Sequence, residues 1–283
     1  MGEAGALDAV TGVLEYLAPG SAVNRRYVVP GAEVNTGRYE RHEVPIRNAR
    51  MRQHDISLAS HGFVLARHRS AVSDFRDRDA VAALYPAEIE RLVREQTGAD
   101  RVVAFGCILR RAGGGGSQGQ PPATDVHVDY APDRAERLAR TLLAEAGTPG
   151  FRFRRIAAIN LWRALSPPPQ DWPLALCDGR SVGAEEGVRN AMIRLDALPS
   201  PEAMEAELPD DPARPEALVF HVSPAHRWYY FPDMTRDEVL LFTLYESERR
   251  GAWRVPHASF ADRSRPGAVP RESIEIRTVA YFT

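Results

Sequence analysis

From residue 151 onward the sequence consists mostly of short apolar segments separated by Pro and Gly, and this pattern limits the fold more than any other feature. Strands of sandwiches and barrels are short and are bounded by turns of this kind. We therefore predict a mainly β fold with some helix. The predicted strands in this part of the chain cover 152–165, 174–178, 217–222, 226–231, 238–246, 256–260 and 273–282.

The first half of the chain mixes helix and strand patterns. Its predicted elements are strands at 62–65 and 101–110 and amphipathic helices at 86–97 and 132–146. Each predicted helix has Pro near its start and Gly just past its end, which is the usual asymmetry of helix termini. The Gly-rich stretch 112–122 offers no core-forming residues, so we predict a flexible loop there.

A chain of 283 residues is long enough to bury one large core. No internal repeat and no clear linker divides it. We predict a single domain over 1–283, in which an N-terminal α/β segment (1–100) wraps onto a β core formed by 101–283.

Composition excludes several classes of function. The net charge of −2 gives no electrostatic reason to expect nucleic acid or an anionic membrane as a partner. The 36 basic residues are all Arg, which removes lysine chemistry from consideration. Cys107 and Cys177 are expected to be buried free thiols. With no signal peptide or membrane-spanning pattern, we expect a cytoplasmic protein.

His127-Val128-Asp129 is the first candidate for chemistry. Side chains two residues apart on a strand point to the same face, so an imidazole and a carboxylate can bind one metal ion together. With a second histidine from a distant strand, they would form a 2-His-1-carboxylate group, which leaves coordination positions open and suits non-haem Fe(II). The tripeptide alone is not specific, and the rest of the chain must supply the partner.

Three histidines lie in the later part of the chain, His221, His226 and His257, and the last two compete for the position of third ligand. His257 lies on the predicted strand 256–260 and is favoured. His226 stands beside an aromatic run, where a histidine is usually packed or faces a substrate. The sequence favours His127, Asp129 and His257 as catalytic metal ligands and leaves His226 open.

Fourteen residues after His257, Arg271 and Ser273 open the last predicted strand and share one face of it. An Arg fork can bind a carboxylate through two hydrogen bonds, and a Ser hydroxyl can add a third. A distal His followed by Arg-x-Ser is the arrangement that a 2-oxoglutarate site requires. Arg277 shares this face but lies farther along the strand.

Candidate substrate-binding residues are polar or aromatic side chains on predicted strands near these positions. They are Asn160, Trp162, His226, Trp228 and Tyr230. For each aromatic residue, ordinary core packing is the competing interpretation.

Several segments in order make the sequence resemble a known family, the AsaB/CmcJ-type hydroxylase/desaturase family. In the second half they are NLWR (160–163), PLALCD (173–178), HRWYYF (226–231), DEVLLF (237–242), PHASF (256–260) and PRESIEIR (270–277). In the first half they are HGF (61–63), DF (74–75) and YPAE (85–88). The Gly-rich insertion at 113–119 departs from the family pattern.

The resemblance implies a double-stranded β-helix core, which is a jelly-roll, cupin-like fold, and the use of Fe(II), 2-oxoglutarate and O2. It also implies oxidation of a small-molecule secondary metabolite by hydroxylation, desaturation or oxidative ring formation. A homodimer or a biosynthetic partner enzyme is compatible with it. Two alternatives stay open: a jelly-roll binding or scaffold protein with a vestigial site, and a cupin-like metalloenzyme that does not use 2-oxoglutarate.

Overall fold

The computed structural model describes residues 8–21, 23–113, 120–209, 211 and 213–283. The strands are β1 (Ala9–Leu17), β2 (Arg25–Val29), β3 (Ala32–Asn35), β4 (Tyr39–Asn48), β5 (Phe63–Arg67), β6 (Arg101–Arg111), β7 (His127–Val128), β8 (Arg155–Ala164), β9 (Leu174–Cys177), β10 (Val188–Arg194), β11 (Glu216–Val219), β12 (Trp228–Tyr230), β13 (Glu238–Glu246), β14 (His257–Ser259) and β15 (Glu272–Phe282). The α-helices are α1 (Arg78–Thr97), α2 (Pro132–Glu145) and α3 (Pro201–Glu205), and two 3-10 helices cover Ala49–Asp55 and Gly179–Ser181.

The strands form two sheets, which confirms the prediction of a mainly β protein with few helices. The larger sheet has ten strands in the order β1-β4-β12-β9-β14-β7-β11-β10-β2-β3, and the smaller has five in the order β5-β13-β8-β15-β6. Their inner faces meet: the rings of Phe242 on β13 and His257 on β14 have centroids 4.6 Å apart. The short strands β7 and β14 are neighbours near the middle of the larger sheet.

The first hundred residues contribute strands to both sheets. β1 and β4 pair with each other and reach the larger sheet through β12, whereas β5 pairs with β13 of the smaller sheet. Strands β2, β3, β4 and β10 were not predicted. In β4, exposed Glu43, Pro45 and Arg47 alternate with Val44 and Ile46, so its apolar face is too interrupted to indicate a strand.

Helix α1 starts earlier than predicted. Asp77 caps its N-terminus by accepting hydrogen bonds from the backbone N–H groups of Asp79 and Ala80, and such a cap satisfies donors that a helix otherwise leaves free. Pro86 therefore lies inside the helix and not at its start. The predicted end is confirmed, since Gly98 follows the last turn with φ 69°.

Most of the predicted Gly-rich loop, residues 114–119, lies outside the described residues. Cys177 is buried as expected, but Cys107 is exposed because it lies on β6, an edge strand of the smaller sheet. In the part of the chain that the structure describes, no helix has both the length and the apolar character that a membrane span needs.

Candidate metal centre

Three predicted ligand residues converge on the inner face of the larger sheet. His127 on β7 pairs in register with His257 on β14, and directly opposed residues of antiparallel strands present their side chains on the same face. Oδ1 of Asp129 lies 3.5 Å from Nε2 of His127 and 3.8 Å from Nε2 of His257. One ligand atom from each residue lies within 4.8 Å of the others, as binding of a single metal ion requires.

Backbone contacts orient both imidazoles in the same way. Nδ1 of His127 lies 2.7 Å from the carbonyl oxygen of Asp125, and Nδ1 of His257 lies 3.2 Å from that of Val255. A carbonyl can only accept, so Nδ1 carries a proton and Nε2 is the nitrogen available to a metal ion. Both Nε2 atoms face the carboxylate of Asp129, which is the orientation of metal-binding histidines.

The charges of the three groups suit a cation site. Burial would raise the pKa of Asp129, but Arg277 and the two histidines hold it well below its usual range. Burial and the neighbouring His127 lower the pKa of His257 to about 4. Burial also opposes protonation of His127, but the carboxylates of Asp125 and Asp129 outweigh it and raise its pKa. Asp129 is thus ionised and His257 neutral, the forms in which these side chains bind a metal.

A narrow cavity between the sheets adjoins the three side chains. Its lining residues are Arg110, Ala123, His127, Asp129, Trp162, Leu174, His257, Ser259, Arg271 and Glu275. Both sheets therefore contribute to it, with the three candidate ligands on one side and charged residues of β6 and β15 on the other.

Arg271 is fully buried in the wall of this cavity, and no carboxylate pairs with its guanidinium among the described residues. Nη1 donates to Oγ of Ser259 over 2.7 Å and to the carbonyl oxygen of Trp172 over 3.0 Å. Nε and Nη2 have no partner within the described chain, and neither does the buried Oγ of Ser273. Burial and the nearby Arg110 lower the pKa of Arg271 to about 9.

The open donors of Arg271 form one edge of its guanidinium. A buried cation without a partner is costly, so such an edge indicates a missing anion. The Nε and Nη2 donors together match the two oxygens of a carboxylate. The indole of Trp162 lies beside the guanidinium, with its ring centroid 5.5 Å from Cζ of Arg271.

Of the five predicted substrate residues, Trp162 lines the cavity and Asn160 lies on the same face of β8. Asn160 is 1% exposed, and its Oδ1 has no hydrogen-bond partner among the described residues. It pairs in register with Arg277 of β15 and Phe242 of β13. Both β8 residues therefore face the region between the sheets.

His226, Trp228 and Tyr230 do not line the cavity. Both ring nitrogens of His226 have partners, with Nδ1 3.2 Å from Oη of Tyr16 and Nε2 2.7 Å from Glu186. Trp228 donates from Nε1 to the same Tyr16 hydroxyl. This network lies apart from the three converging ligands, so the structure does not bring His226 into the metal centre.

The register of β12 explains the positions of its aromatic residues. Leu176 of β9 pairs with both His257 and Tyr229, so these three share the inner face. Trp228 and Tyr230 are the neighbours of Tyr229 and point to the opposite face. The aromatic content of this segment could not reveal which of its residues lies on the inner face of the sheet.

Three further residues of the site were not predicted as part of it: Ser259, Glu275 and Arg277. The signal was the alternation of side chains along strands. Ser259 follows His257 by two residues, and Glu275 and Arg277 continue the face of Arg271 and Ser273. Extending the pattern along each strand would have found them.

The arrangement has the composition of a facial 2-His-1-carboxylate group, the site of non-haem Fe(II) oxygenases, next to a buried guanidinium open to a carboxylate. The family model described as Oxidoreductase/YMDC permease-like domain matches residues 14–281. Hydroxylase/desaturase CTB9 of Cercospora beticola is 31% identical over 87% of this chain and 78% of its own length. The Fe(II)/2-oxoglutarate-dependent dioxygenase nvfI of Aspergillus novofumigatus is 30% identical over 89% of this chain and 87% of its own.

A solved structure agrees with these sequence matches. The iron and alpha-ketoglutarate-dependent endoperoxidase NvfI superposes with a TM-score of 0.83 at 26% identity, covering 97% of this chain and 98% of that one. The chain belongs to the hydroxylase/desaturase family of Fe(II)/2-oxoglutarate-dependent oxygenases. The predicted resemblance and the predicted class of enzyme are thereby confirmed.

Proposed function

We propose that this protein is a non-haem Fe(II)/2-oxoglutarate-dependent oxygenase that oxidises a small organic molecule by hydroxylation, desaturation or oxidative ring formation. One observation carries the proposal. A group of two histidines and one carboxylate converges beside a fully buried guanidinium that has two open donors.

His127, Asp129 and His257 would hold the iron. The two Nε2 atoms and the ionised Asp129 fit Fe(II), because imidazole and carboxylate are its usual ligands in such sites. When bound, iron and 2-oxoglutarate supply the oxidising power by reducing O2 as the keto acid is converted to succinate and CO2. The chain itself fixes the ligands through the carbonyls of Asp125 and Val255 and keeps the site largely out of water.

Arg271 and Ser273 would bind the far carboxylate of 2-oxoglutarate. The bonds of Nη1 to Ser259 and to the Trp172 carbonyl fix the guanidinium, so its Nε–Nη2 edge is already oriented for two parallel hydrogen bonds. Oγ of Ser273, on the same face of β15, would give a third. The fit is specific for a dianion with carboxylates at both ends, since one end faces the metal ligands and the other faces Arg271.

The substrate would reach the site over the inner face of β8. Asn160 and Trp162 are the predicted substrate residues that support this path, because both face the region between the sheets. His226, Trp228 and Tyr230 have no support from their positions as contacts to substrate.

We also propose that residues 1–283 form one domain with a double-stranded β-helix core. The two facing sheets and the likeness to NvfI over nearly the whole chain support it. A homodimer or a partner enzyme of the same biosynthetic route stays a prediction from the sequence.

Anaerobic titration tests the function. Fe(II) followed by 2-oxoglutarate should give the visible charge-transfer band of a keto acid chelated to iron, and O2 should then yield succinate. Replacing His257 by Ala should abolish the band. Replacing His226 by Ala is the matched control and should leave it. No band with the wild-type protein, or a band that survives in H257A and is lost in H226A, would contradict the proposal.

A further inference from the structure

The two carboxylate oxygens of Asp129 have different neighbours. Oδ1 is the oxygen near Nε2 of both histidines. Oδ2 accepts a hydrogen bond of 2.6 Å from Nε of Arg277. Because this bond uses the second oxygen, a metal ion on Oδ1 leaves it intact.

Arg277 is itself held in place by a chain of charged contacts. Its Nη2 donates to Oε1 of Glu275 over 3.0 Å. Glu275 in turn accepts from Nε and Nη2 of Arg110 over 3.2 and 3.3 Å, and Nη1 of Arg110 donates to the carbonyl oxygen of Pro121 over 3.0 Å. The orientation of Asp129 is therefore tied to both β15 and β6, and to the segment that leads into His127.

A bulge in β6 lies opposite Arg277. Glu275 pairs with Ile108 but Arg277 pairs with Phe105, so β6 has one extra residue between these pairs. Gly106 lies in the bulge with φ 62°, a backbone conformation that favours glycine. A Cβ at this position would come within 3.6 Å of Nη1 of Arg277. The bulge sets the spacing of Glu275 and Arg277 against β6.

The same edge of the guanidinium is used differently in Arg277 and Arg271. In Arg271, Nε and Nη2 are open within the described chain. In Arg277, Nε is bonded to Asp129 and Nη2 to Glu275. The Nε–Nη2 edge of Arg277 is thus occupied by protein carboxylates, and its position points to a role toward Asp129.

We infer that Arg277 is a positioning residue of the metal centre that restricts Asp129 to one oxygen for the metal. This inference rests on the proposed function. An iron site with three protein ligand atoms has three positions for the keto acid and O2, whereas a carboxylate that binds through both oxygens fills one of them. Arg277 keeps Oδ2 out of the metal shell, and Glu275 with Arg110 keeps Arg277 in place.

Arg277→Met tests the inference, because it removes the donors and the charge but keeps an unbranched side chain. The dissociation constant of 2-oxoglutarate is measured anaerobically with Fe(II)-loaded protein, together with the position of the charge-transfer band. We expect the dissociation constant to rise about tenfold or more, which is the usual size of an effect of removing a partner of a metal ligand. The band should be displaced, since the ligand set of the iron changes.

Two further variants separate positioning from general stability. Glu275→Gln leaves Arg277 in the chain but loosens it, and it should raise the same dissociation constant to a smaller extent. Arg76→Met is the matched control: Arg76, which is itself exposed, forms a similar ion pair with Glu272 at the start of β15, with Nη2 2.8 Å from Oε2. It should give wild-type values.

The outcomes are distinguishable. A wild-type protein without any charge-transfer band refutes the proposed function. A wild-type band that is retained in R277M, with the same position and the same dissociation constant, refutes only the role of Arg277. If circular dichroism shows that R277M does not fold, Glu275→Gln decides, and wild-type values for that variant overturn the inference.

Discussion

Two fully buried arginines on neighbouring strands of the smaller sheet have opposite surroundings. Arg163 on β8 pairs in register with Ile274 and faces away from the cavity, whereas Arg271 lies just before β15 and faces into it. Nε of Arg163 donates to the hydroxyl of Tyr85, and its other nitrogens contact the carbonyls of His68 and Arg236 and Nδ1 of His68. Every nitrogen of Arg163 has a partner.

The difference in hydrogen bonding distinguishes an arginine that stabilises the fold from one that is able to bind a ligand. Among the described residues neither has a carboxylate partner, so charge pairing does not separate them. The hydrogen bonds do: each nitrogen of Arg163 has a protein partner, whereas Nε and Nη2 of Arg271 have none within the described chain. An unsatisfied buried donor costs about 1–3 kcal/mol, and more when it is charged. We expect the first arginine to stabilise the fold and the second to bind a carboxylate.

The largest expected effect is that of Arg271→Met on the co-substrate. Two charge-assisted hydrogen bonds are lost, so the affinity for 2-oxoglutarate should fall by about 100-fold or more. The free energy of unfolding of the apoprotein should change by only about 1 kcal/mol, because the variant also removes an unpaired buried charge. Anaerobic titration and urea unfolding measure the two quantities. A large loss of stability with unchanged affinity for 2-oxoglutarate would mean that Arg271 stabilises the fold and does not bind the co-substrate.

Arg163→Met should have the opposite signature. It leaves the hydroxyl of Tyr85 and the two carbonyls without their donor in a buried place, which should lower the free energy of unfolding by about 3 kcal/mol. The folded protein should bind 2-oxoglutarate with wild-type affinity. Urea unfolding at neutral pH checks the first expectation. An unchanged midpoint would mean that satisfied donors do not mark a structural arginine.

Asp178 is a fully buried carboxylate that, unlike the guanidinium of Arg271, has partners of opposite charge in the described chain. Its oxygens accept hydrogen bonds from Arg180 and Arg227. Burial would raise its pKa, but Arg180 outweighs burial and lowers it. Because both arginines are nearly half exposed, we expect Asp178→Asn to cost only about 1–2 kcal/mol at neutral pH.

The loss of unfolding free energy caused by Asp178→Asn should depend on pH in a defined direction. A carboxyl group whose pKa is lower in the folded protein stabilises it above its unfolded pKa of about 3.9. This contribution is lost as the pH falls through the folded pKa. The difference between wild type and D178N in urea unfolding should therefore stay constant from neutral pH down to about pH 5 and shrink below about pH 4. A difference that grows on acidification would contradict the assignment.

The smallest expected effect is that of Ser273→Ala. Its buried Oγ, without a partner in the described chain, is predicted to donate one hydrogen bond from an uncharged hydroxyl to the carboxylate held by Arg271. Loss of one such bond should weaken 2-oxoglutarate binding about threefold to tenfold and leave stability nearly unchanged. Anaerobic titration of S273A and R271M with 2-oxoglutarate compares the two losses of affinity. A larger loss of affinity in S273A than in R271M would mean that the hydroxyl, and not the guanidinium, dominates binding.

The sequence was sufficient for the parts of the site that follow from local geometry. His127 and Asp129, and likewise Arg271 and Ser273, were predicted because side chains two apart on a strand share a face. The choice of His257 over His226 needed the pairing of β14 with β7, which brings together residues distant in the chain. The types and spacing of these residues already indicated Fe(II) and 2-oxoglutarate, and the family resemblance implied the same cofactors.

The remaining features depend on register and capping. The aromatic run predicts Trp228 and Tyr230 as substrate residues, but a shift of one residue decides which face of the strand they occupy, and nothing in the run indicates that register. The start of α1 was placed at Pro86 because Pro is common at the first helical position, whereas the Asp77 cap sets it. The contact of Arg277 with Asp129 crosses between the sheets and has no local signal.

The most direct test of the central claim is a double comparison of two keto acids with two proteins. 2-Oxopentanoate has the same chain length as 2-oxoglutarate but a methyl group in place of the far carboxylate. Wild-type protein with Fe(II) should bind 2-oxoglutarate about 100-fold or more tightly than 2-oxopentanoate. R271M should bind both keto acids with similar, weak affinity. The gain in affinity should therefore require both the guanidinium of Arg271 and the far carboxylate of the keto acid. An equal affinity of the wild-type protein for both acids, or a preference that persists in R271M, would contradict the account.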